Sequence, residues 1–106
     1  MSVIAKYKFN QDIYADFLPE FNSAFTSDLY TVTDEIDSED GYTIRTIESD
    51  SLPTLMRFGS SLDNYIEGNE LALLEVLEMD TGELTSAYRM FRCCSNLTSI
   101  KYISSI

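Results

Sequence analysis

Residues 3 to 9 alternate in polarity, with Val3, Ala5, Tyr7 and Phe9 on one side and Ile4, Lys6 and Lys8 on the other. That period of two belongs to a half-buried strand. A strand needs partners, and two later segments are rich in β-branched and aromatic residues. Leu29 to Ile36 carries Tyr30, Thr31, Val32 and Thr33, and Tyr42 to Ile47 carries Thr43, Ile44 and Thr46. They predict an antiparallel hairpin. The acidic stretch between them ends in Asp40-Gly41, where glycine accepts the positive φ such loops need. Leu52 to Phe58 predicts a further short strand, with Pro53 near its start, where a missing amide is tolerated. Between the first strand and the hairpin, Asn10 or Asp12 can cap a short helix whose three- and four-residue spacings align Ile13, Tyr14, Phe17, Leu18 and Phe21. Pro19 interrupts it, so residues 12 to 21 are expected as a broken helix buried on one side.

With 106 residues, 44% of them apolar, the chain suffices for one compact domain and not for two. Histidine is absent and the only cysteines are the neighbours Cys93 and Cys94. Ser-His-Asp and Cys-His catalytic sets are therefore excluded, as are mixed Cys/His and four-thiolate zinc sites. Adjacent cysteines close a disulfide only through a strained ring, so they read as thiols. The run Asp34 to Gly41 invites a calcium-loop reading, but with Gly41 sixth the first, third and twelfth positions fall on Ile36, Ser38 and Ile47. A solvated turn fits better. No catalytic residue, cofactor or metal is assigned, and the chain is read as a non-enzyme.

Eighteen acidic residues against seven basic ones give a net charge of −11. The first 53 residues hold eleven of the acids and only three of the bases. Such a polyanion repels phosphate backbones, which disfavours nucleic acid as a partner. The N-terminus lacks the pattern of a secretory signal, and the longest aliphatic run, Leu71 to Leu74, is far too short to span a membrane. Synthesis in the cytoplasm without membrane insertion is expected.

Near the C-terminus the pattern changes. Leu71-Ala72-Leu73-Leu74-Glu75-Val76-Leu77 and Leu97-Thr98-Ser99-Ile100-Lys101-Tyr102-Ile103 match in apolar residues at an offset of 26, within the range of leucine-rich repeats. The stretch Asp80 to Ile100 resembles the repeat of BspA-like bacterial surface proteins. In that family a unit reads roughly Asp-Thr-Ser-x-Val-Thr-x-Met-x-x-Met-Phe-x-x-Cys-x-x-Leu-Thr-Ser-Leu. Asp80, Thr81, Thr85, Met90, Phe91, Cys94, Leu97, Thr98 and Ser99 occupy matching positions. Leu84 and Ile100 are conservative departures, whereas Ala87 and Gly82-Glu83 depart further. The resemblance covers residues 71 to 106, and the first seventy residues lack the motif. They loosely resemble segments that precede such repeats in some phage and prophage proteins.

The resemblance implies a repeat core of Leu71, Leu74, Val76, Met90, Phe91, Cys94 and Leu97, with Cys94 buried and Cys93 in a variable position. The expected fold is α+β. Residues 1–63 would form a small cap or docking region of strand, broken helix and antiparallel hairpin, and residues 64–106 would begin a leucine-rich-repeat-like solenoid. Repeat strands are expected near 73 to 77 and 99 to 103. An open repeat edge would expose Ile100, Tyr102, Ile103 and Ile106 as an assembly surface. The resemblance implies a non-enzymatic binding or assembly module, in the first place a phage or prophage tail-associated or receptor-binding protein. Its partners would be other virion components, a host surface receptor or a second copy of the chain. The alternative from charge is a small acidic regulator or inhibitor that occupies a basic partner surface by charge mimicry.

Overall fold

The computed structural model describes residues 1–59, 69–101 and 103–104. The described strands are β1 (Ser2–Phe9), β2 (Glu20–Phe21), β3 (Tyr30–Ile36), β4 (Thr43–Ser49), β5 (Met56–Arg57), β6 (Leu73–Asp80), β7 (Ser99–Ile100) and β8 (Ile103–Ser104). Helical geometry is confined, among the described residues, to two 3-10 turns at Ser27–Leu29 and Asn69–Ala72. A six-stranded mixed sheet runs β3-β4-β1-β6-β7, with β8 also paired to β6, and β2 and β5 form a separate two-stranded ribbon. The α+β expectation is therefore corrected to an all-β domain. A solenoid is excluded as well, because antiparallel pairing joins β1 to both β4 and β6. The boundary expected at 63/64 lies outside the described residues.

β1 is the centre of the sheet, and its alternation explains why. Ala5, Tyr7 and Phe9 are fully buried on one face, opposite Ile47, Arg45 and Thr43 of β4. Lys6 and Lys8 project from the other face, where they remain partly in water. The buried face is covered by β5, which contributes Met56, and by irregular segments that contribute Phe17, Phe25 and Phe58. Tyr7 meets Phe58 edge-on at 5.2 Å and Phe17 at 5.7 Å, and Phe58 stacks on Phe91 at 5.8 Å. Edge-to-face rings suit their quadrupoles and add to the burial of their large area.

Residues 12 to 21 form turns ending in β2, not a broken helix. Asn10 starts them: its side-chain carbonyl accepts from the Asp12 amide at 2.9 Å and its backbone carbonyl from the Ile13 amide at 3.1 Å. In a helix the Ala15 carbonyl would accept from residue 19, but Pro19 has no N–H. Arg45 Nη2 donates to that carbonyl instead, at 3.2 Å. The Phe17 carbonyl accepts from Arg45 Nη1 at 2.9 Å and from the Tyr7 hydroxyl. With those acceptors taken by the sheet, a one-turn helix has too few bonds of its own to form. Phe17 and Pro19 are buried, whereas Ile13, Tyr14 and Leu18 are exposed.

Arg45 also lies over the Phe9 ring at 4.7 Å and grips Asp34 of β3 through two 2.8 Å bonds. One guanidinium thus joins β1, β3, β4 and the covering loop, using the planar fork that lysine lacks. Hydrogen bonding to Arg45 holds the Asp34 carboxyl below the usual carboxylate range. A depressed folded pKa stabilises the folded chain above the ordinary aspartate value, and that stability is lost as pH falls through the folded value. Arg45→Lys should lower stability by about 2–4 kcal/mol in urea unfolding, because the Ala15 carbonyl loses its donor, the Phe17 carbonyl keeps only the Tyr7 hydroxyl and the paired bonds to Asp34 are lost. Asp34→Asn should make stability fall less steeply with acid below about pH 4, as read from urea midpoints over a pH series.

Candidate functional site

β7 and β8 form one border of the sheet, each pairing in parallel with β6. The register joins Glu75 to Ser99, Val76 to Ile100, Met79 to Ile103 and Asp80 to Ser104. Paired residues are 24 apart, not the 26 of the apolar match, so Val76 faces Ile100 where the match aligned it with Tyr102. On its other side β6 is irregular, its pairing with β1 slipping at Lys6/Tyr7 and at Lys8/Phe9. Two bulges add residues to β6 and shift the phase of its side chains. Leu73, Val76 and Met79 turn inward as a result, at a spacing of three instead of two.

The expected core residues therefore divide. Val76 and Cys94 are buried, Leu74, Met90, Phe91 and Leu97 are half-buried, and Leu71 is exposed. Leu71 fails because the buried positions of its segment are taken by Ala72 and Leu73. Of the expected assembly edge, Ile100 is 40% and Ile103 56% exposed. Tyr102 and Ile106 lie outside the described residues.

The exposed isoleucines adjoin two hollows. A groove of about 450 Å³ is lined by Leu84, Thr85, Ala87, Met90 and Ile103 together with neighbouring hydroxyls, and a hollow of about 310 Å³ by Leu97 to Ile100. The Leu74 carbonyl fixes the entry to β7, accepting from the Thr98 amide at 2.9 Å and its hydroxyl at 3.1 Å. Ser99 Oγ donates to Glu75 Oε1 at 3.1 Å. The polar groups beside the edge are thus largely engaged within the chain, which leaves aliphatic side chains as the exposed surface there. Among the described residues no group of three His, Cys, Asp or Glu could hold a metal ion.

The wall of the groove is a turn held by β5 and the residues after it. The Met90 carbonyl accepts from the Phe58 and Gly59 amides, both at 2.8 Å. A Cβ on Gly59 would lie 2.2 Å from the Arg92 nitrogen and 2.4 Å from the Arg92 carbonyl oxygen, so only glycine permits this approach. Arg89 and Cys93 both take positive φ, 58° and 66°. Sequence reasoning missed Gly59, Leu84 and Ala87 as parts of this wall. A lone Gly-Ser step after an aromatic carries no mark of close backbone approach.

The acidic loop of the hairpin is built around Lys8. Its Nζ lies 3.0 Å from Asp37, 2.6 Å from Asp40 and 3.5 Å from Glu75. Hydrogen bonds from Lys8 and from the loop backbone hold both aspartates below the usual carboxylate range. These carboxylates neutralise an internal cation, which accounts for an acidic run that lacks the calcium-loop register. No family model, curated protein or solved structure matches the chain.

Cys93 is exposed and Cys94 buried, and burial pushes the Cys94 thiol up to about 12. A thiolate reagent should therefore modify Cys93 in the folded protein and reach Cys94 only on unfolding. Cys94→Ser should cost about 1–3 kcal/mol in denaturant unfolding, whereas Cys93→Ser should be nearly neutral. Equal losses in the two variants would contradict the placement of these thiols.

Proposed function

We propose that this protein is a non-enzymatic binding and assembly module that associates through the β7–β8 border of its sheet. The observation that carries this reading is the exposure of Ile100 and Ile103 on strands whose outer side has no pairing strand among the described residues, beside an apolar groove. Unpaired strand backbone with aliphatic side chains is a template for another chain. Covering about 300 Å² of apolar surface there would contribute roughly 7 kcal/mol before association costs.

The resemblance of Asp80 to Ile100 to the repeats of BspA-like surface proteins supports a role in surface recognition. It supports a phage or prophage virion component, made in the cytoplasm and assembled with other virion proteins or against a host receptor. Charge mimicry is the weaker reading, because at least five acids of the first half pair with cations of the same chain. Asp34 holds Arg45, Asp37 and Asp40 hold Lys8, Glu20 holds Arg57 and Asp50 holds the N-terminus.

Sedimentation velocity over a hundredfold concentration range tests the assembly border. The chain should self-associate, and Ile100→Lys combined with Ile103→Lys should weaken that association at least tenfold. A monomer at every concentration, unchanged by the lysines, would count against an assembly border at this position.

A further inference from the structure

The opposite border of the sheet differs in kind. β3 pairs with β4 over seven consecutive residues, Tyr30 to Ile36, without a bulge. Among the described residues nothing pairs with its outer side. Its segment contains no proline or lysine, two of the devices that blunt an edge strand, and its own charges, Asp34 and Glu35, are both acidic. The covering layer ends short of it, leaving Val32 39% and Ile36 62% exposed on the face that elsewhere forms the core.

Which backbone groups face outward follows from the hairpin. The Asp37 amide donates to the Tyr42 carbonyl at 2.9 Å, so these two form a hydrogen-bonded pair. Hydrogen-bonded and non-bonded pairs alternate along an antiparallel ladder. Ile36, Asp34 and Val32 are accordingly non-bonded to β4, and their N–H and C=O groups point away from the sheet. Glu35, Thr33 and Thr31 bond to β4.

Side chains around this edge define what would fit. On the open face, Glu35 lies in β3 and Glu48 in β4, and neither has an ion-pair partner among the described residues. A groove of about 290 Å³ runs beside Glu35, lined also by Thr33, Ile44 and Thr46. On the other face, Val32 and Ile36 offer apolar contact. A second copy of the chain would bring another Asp34 and Glu35 to the same edge, with a further −11 of net charge, so self-pairing is opposed electrostatically.

We infer that β3 is a docking edge for an extended segment of a different, basic protein, added as a further strand with alternating apolar and basic side chains. The apolar side chains pack beside Val32 and Ile36, and the basic ones reach Glu35, Glu48 and the groove. Main-chain bonds to Val32, Asp34 and Ile36 supply the attachment, and the unpaired glutamates select for a cationic segment. This edge is separate from the β7–β8 border and operates whether or not that border assembles.

A capped octapeptide of alternating valine and lysine is the probe, with an N-methylated version that keeps the charge but cannot pair as a strand. Amide hydrogen exchange, read by NMR, reports the site. Saturating peptide should slow exchange of Val32, Asp34 and Ile36 at least tenfold, and the N-methylated peptide should not. Val32→Pro removes an outward N–H that β4 does not use, so the sheet should survive while peptide affinity falls at least tenfold. If that variant unfolds, the N-methylated peptide on the unaltered chain decides alone. Repeating the titration on the Ile100→Lys, Ile103→Lys chain should give the same protection, which separates this edge from the other border. Binding without protection at the three amides, or equal binding of the N-methylated peptide, would overturn the proposal. Protection of those amides in the free chain that rises with its concentration would also overturn it, since a second copy would then be the occupant.

Discussion

The guanidinium of Arg45 is the joint on which the covering layer depends. The chain has no described α-helix to lay across its sheet, so the core must be closed by segments with few internal hydrogen bonds. Such segments need fixed donors from below, since buried carbonyls without partners are costly. Arg45 supplies them to Ala15 and Phe17, with Tyr7 adding a second donor to Phe17. Burying that cation is tolerable because Asp34 neutralises it and the Phe9 ring lies beneath it. The same contact ties edge strand β3 to the centre of the sheet and orders an edge whose side chains are otherwise largely solvated.

β1, β3 and β4 were legible from their β-branched and aromatic residues. β1 keeps its period of two from Ala5 to Phe9, whereas Ile4, expected opposite Ala5, is buried as well because the pairing with β4 is irregular between Val3 and Ala5. The hairpin turn was legible from Asp40-Gly41, and Gly41 does take a positive φ of 78°. The 12 to 21 segment was misread because its apolar spacing fits a helix, while the interactions that decide it come from Arg45, a residue at least 24 positions away in the sequence. Local pattern cannot register an acceptor already claimed by another strand. β6 was misread in phase for a different reason. Its two bulges convert an expected Leu71, Leu74, Val76 face into a Leu73, Val76, Met79 face. The candidate border was legible only at Ile100 and Ile103, since its groove depends on the close approach of Gly59 to the Arg92 backbone.

The two borders of the sheet follow from that unequal ordering. Around β7 and β8 the neighbouring segments fold back over β6, through Thr98 to Leu74 and the Lys101 amide to Val76. The border consists of two strands of only two residues each, so side-chain burial must carry most of any association there. β3 is the reverse: seven unbroken residues with outward backbone groups and little apolar area. Association at β3 draws on directional hydrogen bonds, whose net worth is modest in water, together with charge that salt screens. Under the two proposals, contact at the first border would rest on burial and contact at the second on hydrogen bonds and charge. β1 lies between them, buried and paired on both sides, so that a strand added at either border extends a sheet already fixed at its centre.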